Sequence, residues 1–293
     1  MIFEKLVAVP PAKAWRSFQS IRWTGIVALV PFFVVLLAFC LAPAAWVLIS
    51  SRPADGGPWY ANFSEILGSP FYRQAFGNSL RVSFWSSLAG LLIAVAGAAS
   101  LRRVDGPLRN AVVAFTNMSS NLSGVPLAFA FIILLGTNGT LTLILRDLNW
   151  GNAFNLYSID GLILIYAYFQ IPLGVLLLYP AFDALDDDWQ GAAAQLGAGR
   201  LAYWRHIGLP VLAPAATGAF ILLFANAMGA YASAFALTTG NINLVTIRIA
   251  SLVAGDIFLQ PDLAAALAVL LMIQMALVTA VNHWLLERSY RVR

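Results

Sequence analysis

Apolar residues are collected in long runs along the chain, and polar segments containing glycine and proline separate one run from the next. Six runs have about the 20 residues that a helix needs to cross the hydrocarbon core of a membrane: residues 25–49, 82–101, 111–135, 162–181, 213–237 and 263–286. Because lipid offers the backbone no hydrogen-bond partner, each run is expected to be helical. The pattern therefore predicts an all-α polytopic membrane protein with six transmembrane helices.

The composition supports that prediction. Of the 293 residues, 60% are hydrophobic and only 10% are charged, which is too little charge to cover the surface of a soluble domain. The net charge of +4 comes from basic residues beside the apolar runs, and these residues do not cluster with interleaved aromatic ones. Membrane lipid is therefore an expected partner, and nucleic acid is not.

The basic residues also predict an orientation. Most of the 17 lysines and arginines lie in four places: residues 1–24, the loop after the second run, the loop after the fourth run, and residues 288–293. Cytoplasmic segments of membrane proteins carry an excess of such residues. The N-terminal tail (1–24), the C-terminal tail (288–293) and the polar segment 186–210 are therefore expected on the cytoplasmic side.

The sequence lacks the residues that nucleotide binding, metal binding and catalysis would need. Both lysines, Lys5 and Lys13, lie in the N-terminal tail, so the chain has no phosphate-binding loop ending in Lys-Ser or Lys-Thr. His206, His283 and Cys40 have no neighbours at convincing ligand spacing, so no metal site is predicted. No catalytic motif is present either, which argues against a membrane-embedded enzyme.

The acidic residues bear on the source of energy for transport. All 13 lie outside the six runs, although a proton- or sodium-driven carrier usually needs an ionisable residue at membrane depth. The pattern favours a transport subunit that is driven by a partner at the cytoplasmic face. A secondary carrier or channel that does not use ATP is the alternative.

Segment 186–210 lies between two apolar runs and has the pattern of a helix, a sharp bend and a second short helix. Asp186, Asp187 and Asp188 stand where carboxylates can cap the first helix. Gly197 is expected to end that helix in the left-handed conformation, and Pro210 lies just before the next apolar run. Two interpretations are open: a rigid element that docks on another protein, or an amphipathic helix that rests on lipid.

The residues GAAAQLGAGRLAYWRHIGLP, numbered 191–210, carry a resemblance to a known family. They are similar to the signature of permease subunits of binding-protein-dependent ATP-binding-cassette importers: EAA, three residues, G, nine residues, I, one residue, LP. The matching positions are Ala192, Ala193, Gly197, Ile207, Leu209 and Pro210. Gly191 stands where the signature has glutamate, so it cannot form a salt bridge that the glutamate would form.

The resemblance covers residues 77–287, which make up the expected permease core of five transmembrane helices. The first transmembrane helix, at 25–49, precedes this core. Residues 124–136, 168–185 and 224–240 look like the group of such permeases that serves polyamines, ferric iron, thiamine and phosphonates. The resemblance implies a type I importer in a bacterial inner membrane that carries a polyamine or a similar small polar solute.

In that family, the segment corresponding to 186–210 is the coupling helix, which inserts into a cleft of the ATP-binding subunit. The positions implied for docking are Gly191, Ala192, Ala193, Gln195, Leu196, Gly197, Ala198, Gly199 and Arg200. The implied partners are a second permease subunit, identical or homologous, two ATP-binding subunits and an extracytoplasmic solute-binding protein. ATP and Mg are bound by the ATP-binding subunits, and the resemblance implies no cofactor on this chain.

Uncharged polar residues occur within the apolar runs. The candidates for a translocation path are Asn121, Tyr166, Gln170, Asn226, Tyr231 and Ser233. Such residues in a membrane protein either line a polar path or form hydrogen bonds that hold helices together. The sequence leaves both interpretations open.

Overall fold

The computed structural model describes residues 23–148, 154–254 and 259–291, and the secondary structure of these residues is helical. The residues up to Ser50 form one unit and those from Ser51 form a second. In the first unit, α1 (Trp23–Leu36) continues through a π-helical turn (Leu37–Leu41) into α2 (Ala42–Ser50). Its described side chains are largely exposed, as expected of a single helix taken by itself.

The second unit contains the remaining helices. In chain order they are α3 (Ala61–Gly68), α4 (Pro70–Leu101), α5 (Pro107–Ser120), α6 (Val125–Leu135), α7 (Thr140–Asp147), α8 (Ile159–Asp183), α9 (Asp187–Gln195), α10 (Arg200–Tyr203), α11 (Leu209–Gly229), α12 (Ala232–Thr238), α13 (Val245–Ala254) and α14 (Pro261–Arg291). A π-helical turn at Trp204–Gly208 joins α10 to α11.

Six stretches of the described chain are long and apolar enough to cross a membrane. They are Leu29–Ser50, Pro70–Leu101, Val125–Asp147, Ile159–Asp183, Arg200–Gly229 and Pro261–Val281. The predicted all-α architecture with six membrane-spanning segments is therefore confirmed. The helices are longer than several of the apolar runs, because their polar ends extend past the apolar part.

Two of the predicted spans were wrong in detail. The run 111–135 is not one helix, because α5 ends at Ser120 and α6 begins at Val125. The intervening residues include Ser123 and Gly124, and Pro126 stands in the first turn of α6, where its missing N–H is harmless. The run 213–237 is also broken, since α11 ends at Gly229 and α12 begins only at Ala232. Helix α13 lies between the fifth and sixth apolar runs, where the pattern predicted no helix.

The centre of the second unit is the contact between α4 and α8, which run parallel. Gly90 lies against Gln170 and Ala94 lies against Gly174, so contacting residues rise in the same order in both helices. A Cβ at Gly90 would come within 2.9 Å of the Gln170 Cβ, closer than side-chain carbons pack. Glycine at this position therefore allows the two backbones to approach closely, as small residues do in membrane helices.

Apolar cores lie along this contact. One is built around Val82, Tyr166 and Ala227, and another contains Ala98, Phe182 and Leu212. Helix α11 packs antiparallel to α8, because Leu223 faces Gly174 while Leu212 shares a core with Phe182. The second core lies at the end of the bundle where α4 and α8 finish and α11 begins, directly beside segment 186–210.

Candidate functional site

Helix α9 is capped at its start by a carboxylate. Asp186 has an extended backbone, and its side chain accepts a hydrogen bond from the Asp188 N–H at 3.0 Å. This bond satisfies one of the free N–H groups of the first turn, as N-capping aspartates do. The predicted capping role is confirmed for Asp186.

The end of α9 is a Schellman motif centred on Gly197. The Ala198 N–H donates to the Ala193 carbonyl at 2.9 Å, and the Gly197 N–H donates to the Ala194 carbonyl at 3.0 Å. Gly197 has a φ of +78°, which confirms the predicted left-handed conformation. A Cβ at Gly197 would meet no atom within 4 Å. Within this chain, the requirement for glycine therefore comes from the backbone dihedral and not from lack of space.

The bend after α9 presents apolar side chains away from the bundle. Leu196 is 88% exposed and Leu201 is 84% exposed. Leucine side chains are usually buried, so these two are exposed to an unusual degree. Of the positions implied for docking, Ala193 is buried and Ala198 is half-buried, and the others are exposed: Gly191, Ala192, Gln195, Leu196, Gly197, Gly199 and Arg200.

The other side of this segment is fixed to the bundle. Tyr203 is buried, and Trp204 packs against the core that contains Phe182 and Leu212. Helix α10 passes through the π-helical turn into α11 without a break. The bend is therefore joined to α11 by a helical connection that begins at Arg200.

A polar cavity lies at the far end of α11. It has a volume of about 360 Å³ and is only partly enclosed by this chain. Its lining residues are Ser123, Gly124, Phe169, Ala225, Asn226, Gly229, Ala230, Tyr231, Ala232 and Ser233. No side chain among these is charged, and the Tyr231 ring stacks on Phe235 with 5.3 Å between centroids.

The two helix breaks create this cavity. Ser123 and Gly124 come from the break between α5 and α6, and Ala230 and Tyr231 come from the break between α11 and α12. Unwound backbone at membrane depth is tolerated where it is buried in protein or lines a cavity. Of the six residues predicted for a path, the structure brings Asn226, Tyr231 and Ser233 together here.

The other three candidates lie elsewhere. Tyr166 is 1% exposed and its hydroxyl donates to the Ala230 carbonyl at 2.8 Å. Gln170 is fully buried and its Nε2 donates to the Ser86 Oγ at 2.9 Å. Asn121 is exposed at the end of α5 and donates to the Asn117 carbonyl. Tyr166 and Gln170 therefore make the helix-to-helix contacts of the second interpretation.

Phe169 and Gly124 line the cavity but were not among the predicted path residues. Phe169 lies inside an apolar run, where nothing in the sequence separates a cavity wall from the core. Gly124 was detectable, because it precedes Pro126 and follows several polar residues, and that pattern is typical of a break.

A second, larger groove of about 670 Å³ lies between α4, α8, α11 and α14, and its lining is almost entirely aliphatic and aromatic. Thr217 is its polar exception, and the Thr217 hydroxyl already donates to the Ala213 carbonyl of its own helix. The groove therefore offers no polar group to a solute. Within the described ranges, no three His, Cys, Asp or Glu residues lie close enough together to hold a metal ion.

Comparison with known proteins relates this arrangement to transport. No protein-family model matches the sequence. Over 196 residues the chain is 28% identical to a thiamine transport system permease protein of Brucella abortus, covering 64% of this chain and 34% of that protein. It is 26% identical over 239 residues to a spermidine/putrescine transport system permease protein of Haemophilus influenzae, covering 78% and 81%.

The fold is also that of a solved transporter. A chain of a bacterial ABC transporter involved in the import of the polysaccharide alginate superposes with a TM-score of 0.70. The match covers 92% of this chain and 96% of that chain, at 16% sequence identity. This identity supports a shared fold and nothing finer.

The comparisons confirm the resemblance to importer permeases: the chain is similar in sequence to permease proteins of solute transport systems, and in fold to a chain of an ABC transporter that imports alginate. It spans about a third of the length of the Brucella abortus thiamine permease, at 34%. It matches the spermidine/putrescine permease over most of both chains.

Proposed function

We propose that this chain is the permease subunit of an ATP-driven solute importer, in which it forms half of the translocation path and couples to an ATP-binding subunit. The observation that carries the proposal is the connection between two sites. The exposed bend at Leu196 and Gly197 is joined through α10 to α11, and α11 ends at the cavity lined by Asn226 and Tyr231. A force applied at the bend reaches the cavity through continuous helix.

In this proposal the bend faces the cytoplasm. Arg102, Arg109, Arg200 and Arg205 lie at the end of the bundle that carries the bend, and an excess of arginine marks the cytoplasmic side. The ATP-binding subunits, which bind ATP and Mg, reach the chain only at that side. Both termini lie there too, in a bacterial inner membrane.

The cavity is only partly enclosed by this chain, so a second permease subunit, identical or homologous, is needed to close the path. An extracytoplasmic solute-binding protein would deliver the solute on the opposite side. A related transporter of similar fold has been crystallised with an alginate pentasaccharide-bound periplasmic protein, which supports this assignment for the present chain.

The proposed cycle uses the bend as a lever. ATP binding closes the pair of ATP-binding subunits and moves the bend with them. Helix α11 follows, and the unwound residues Ala230 and Tyr231 open the cavity outward. Hydrolysis of ATP in the partner subunits returns the bend to its first position.

The lining of the cavity favours a small polar solute. Asn226, Ser233 and Tyr231 offer neutral donors and acceptors, and Phe169 offers an aromatic face. Polyamines are within the proposed class, but this cavity has no carboxylate to attract them. For a polyamine, selection would therefore rest with the binding protein.

Co-purification tests the proposal. The chain is expressed with candidate ATP-binding and solute-binding proteins from the same genome, and the isolated complex is reconstituted in proteoliposomes. We expect a bound ATP-binding subunit, and an ATPase rate that rises when the loaded binding protein is added. Solute uptake by the lone chain without ATP would instead support the secondary carrier.

A further inference from the structure

The end of α8 is held by two arginines from neighbouring elements. Arg102, which follows α4, donates a guanidinium hydrogen bond to the Leu185 carbonyl. Arg109, in the first turn of α5, donates to the Asp183 carboxylate at 3.1 Å and lies 5.0 Å from the centre of the Tyr179 ring. Residues 184–186 alone separate this end of α8 from the start of α9.

These contacts suit the place where they occur. Asp183 lies in the last turn of α8 and Leu185 lies two residues past it. The C-terminal end of a helix carries a partial negative charge, so arginine is favoured beside it. The Leu185 and Phe182 side chains are buried in the adjacent core. The segment that leads into α9 is therefore held by a hydrogen bond to its backbone, by burial of its apolar side chains and by an ion pair.

The Arg109–Asp183 pair contributes little to the stability of the bundle, and its importance lies in where it joins α5 to α8. The side chains are 29% and 51% exposed, and pairs of that kind contribute about 0–1 kcal/mol to stability. The pair nevertheless joins two helices, because Arg109 is part of α5 and Asp183 is part of α8. It can therefore fix the position of the first turn of α5 relative to the end of α8.

Helix α5 leads from this pair to the cavity. It runs without a break from Pro107 to Ser120, and the cavity-lining residues Ser123 and Gly124 follow its end. The opposite wall, with Asn226 and Tyr231, is reached through α11. Helix α5 also packs along α8, with Val113 against the core that contains Phe182. The two walls of the cavity are therefore connected to α9 by separate routes, one through α11 and one through α5, whose first turn meets the end of α8 at the Arg109–Asp183 pair.

We propose that Arg109 is a positioning residue that transmits displacement of α9 to α5, so that both walls of the cavity move together, and that Arg102 supports it by holding the end of α8 to α4. This inference rests on the proposed function, since it needs an ATP-binding subunit that moves α9. It adds a second route of coupling and names the residues that carry it.

The test measures the movement of each wall in the complete complex without requiring the solute. In a Cys40→Ala background, spin labels are placed at Met118 on α5 and, as a reference, at Leu277 on α14. A second pair uses Leu222 on α11 with the same reference. All three positions are exposed. Distances are measured by pulsed electron spin resonance, with and without trapping by ATP and vanadate.

In the wild-type background, both distances should change on trapping. With Arg109→Ala, the Met118–Leu277 change should be lost while the Leu222–Leu277 change remains. The double variant Arg109→Asp with Asp183→Arg should restore the lost change by re-forming the pair. Arg103→Ala removes an exposed charge from the same loop and should leave both distance changes intact.

The outcomes separate the two proposals. If neither distance changes in the wild type, or if no ATP-binding subunit is bound, the proposed function fails. If both distances change in the wild type and also in Arg109→Ala, the importer stands and the role of Arg109 is overturned. A loss of both changes in an Arg109→Ala complex that still binds and hydrolyses ATP would also contradict a route confined to α5.

Discussion

Gly197 is the residue on which the geometry of the bend depends. Its φ of +78° is costly for residues with a Cβ, by roughly 1–2 kcal/mol, and least so for asparagine and aspartate. The surrounding space is open, so size within this chain is not the obstacle. The requirement is one of backbone conformation, and it can be tested at a single position.

We expect Gly197→Val to uncouple ATP hydrolysis from uptake, and Gly197→Asn to retain more of the coupling because asparagine tolerates the left-handed conformation. The measurement is solute moved per ATP hydrolysed in proteoliposomes, with the amount of assembled complex determined by gel filtration. Equal coupling in the two variants would show that the dihedral at Gly197 does not matter.

Tyr166 and Asn226 differ in what their polar groups do, although both lie at membrane depth. The Tyr166 hydroxyl binds the Ala230 carbonyl inside the bundle, while Asn226 lines the cavity. Tyr166→Phe removes the shorter of two hydrogen bonds to the half-buried Ala230 carbonyl, which Thr246 also reaches at 3.4 Å, and the loss of one such bond costs about 0.5–1.5 kcal/mol. We expect a lower melting temperature of the complex, with uptake per assembled complex largely retained.

Asn226→Leu should have the opposite effect. It places an apolar side chain in the polar cavity without breaking an internal contact of the bundle, so uptake should fall several-fold while the yield of complex and its basal ATPase rate stay normal. Reduced assembly with normal uptake per complex would assign Asn226 to helix packing instead of the path.

The sequence predicted some of these residues and not others, for a physical reason. The roles of Asp186 and Gly197 are local, since a cap and a Schellman motif are determined by neighbours in the chain. The roles of Tyr166 and Gln170 depend on what packs against them from other helices. A polar residue in an apolar run has the same appearance whether it faces a cavity or a neighbouring helix.

At the scale of elements, the contact between α4 and α8 depends on small residues. A Cβ at Gly90 would lie 2.9 Å from the Gln170 Cβ, whereas a Cβ at Gly77 in the same helix would meet nothing within 4 Å. Gly90→Ala should therefore lower the stability of the bundle by roughly 1–3 kcal/mol through overpacking. Gly77→Ala should raise it by about 0.5–1 kcal/mol through helix propensity.

Thermal unfolding of the two variants in the same detergent measures that difference. If Gly90→Ala unfolds at the wild-type temperature or above, the helices do not pack as closely as the structure has them.

Hydropathy predicted the number of spans but not where the helices are interrupted. The runs 111–135 and 213–237 were drawn through the breaks at residues 121–124 and 230–231, because apolar residues continue on both sides of each break. Ser123 and Gly124 gave a signal in the sequence, whereas Ala230 gave none. Helix α13 was missed because its apolar residues are too few to form a spanning run.

At the scale of the whole molecule, the central prediction is which end faces the cytoplasm. In a Cys40→Ala background, a cysteine at Gly57 should react in intact cells with a thiol reagent that does not cross the membrane, and one at Ala194 should react only after lysis. Both positions are exposed. Reaction of the Ala194 cysteine in intact cells would place the bend outside the cell and remove any access for an ATP-binding subunit.

Docking at the bend is the claim on which the whole account rests. A photo-crosslinking amino acid at Leu196, which is exposed and apolar, can be activated in membranes that contain the complete complex. The account predicts a covalent product between this chain and a subunit that mass spectrometry identifies by its phosphate-binding loop, and no such product from the same amino acid at Leu222 on α11. Absence of that product at Leu196, in a complex whose ATPase is active, would contradict the assignment of residues 186–210 as the coupling element.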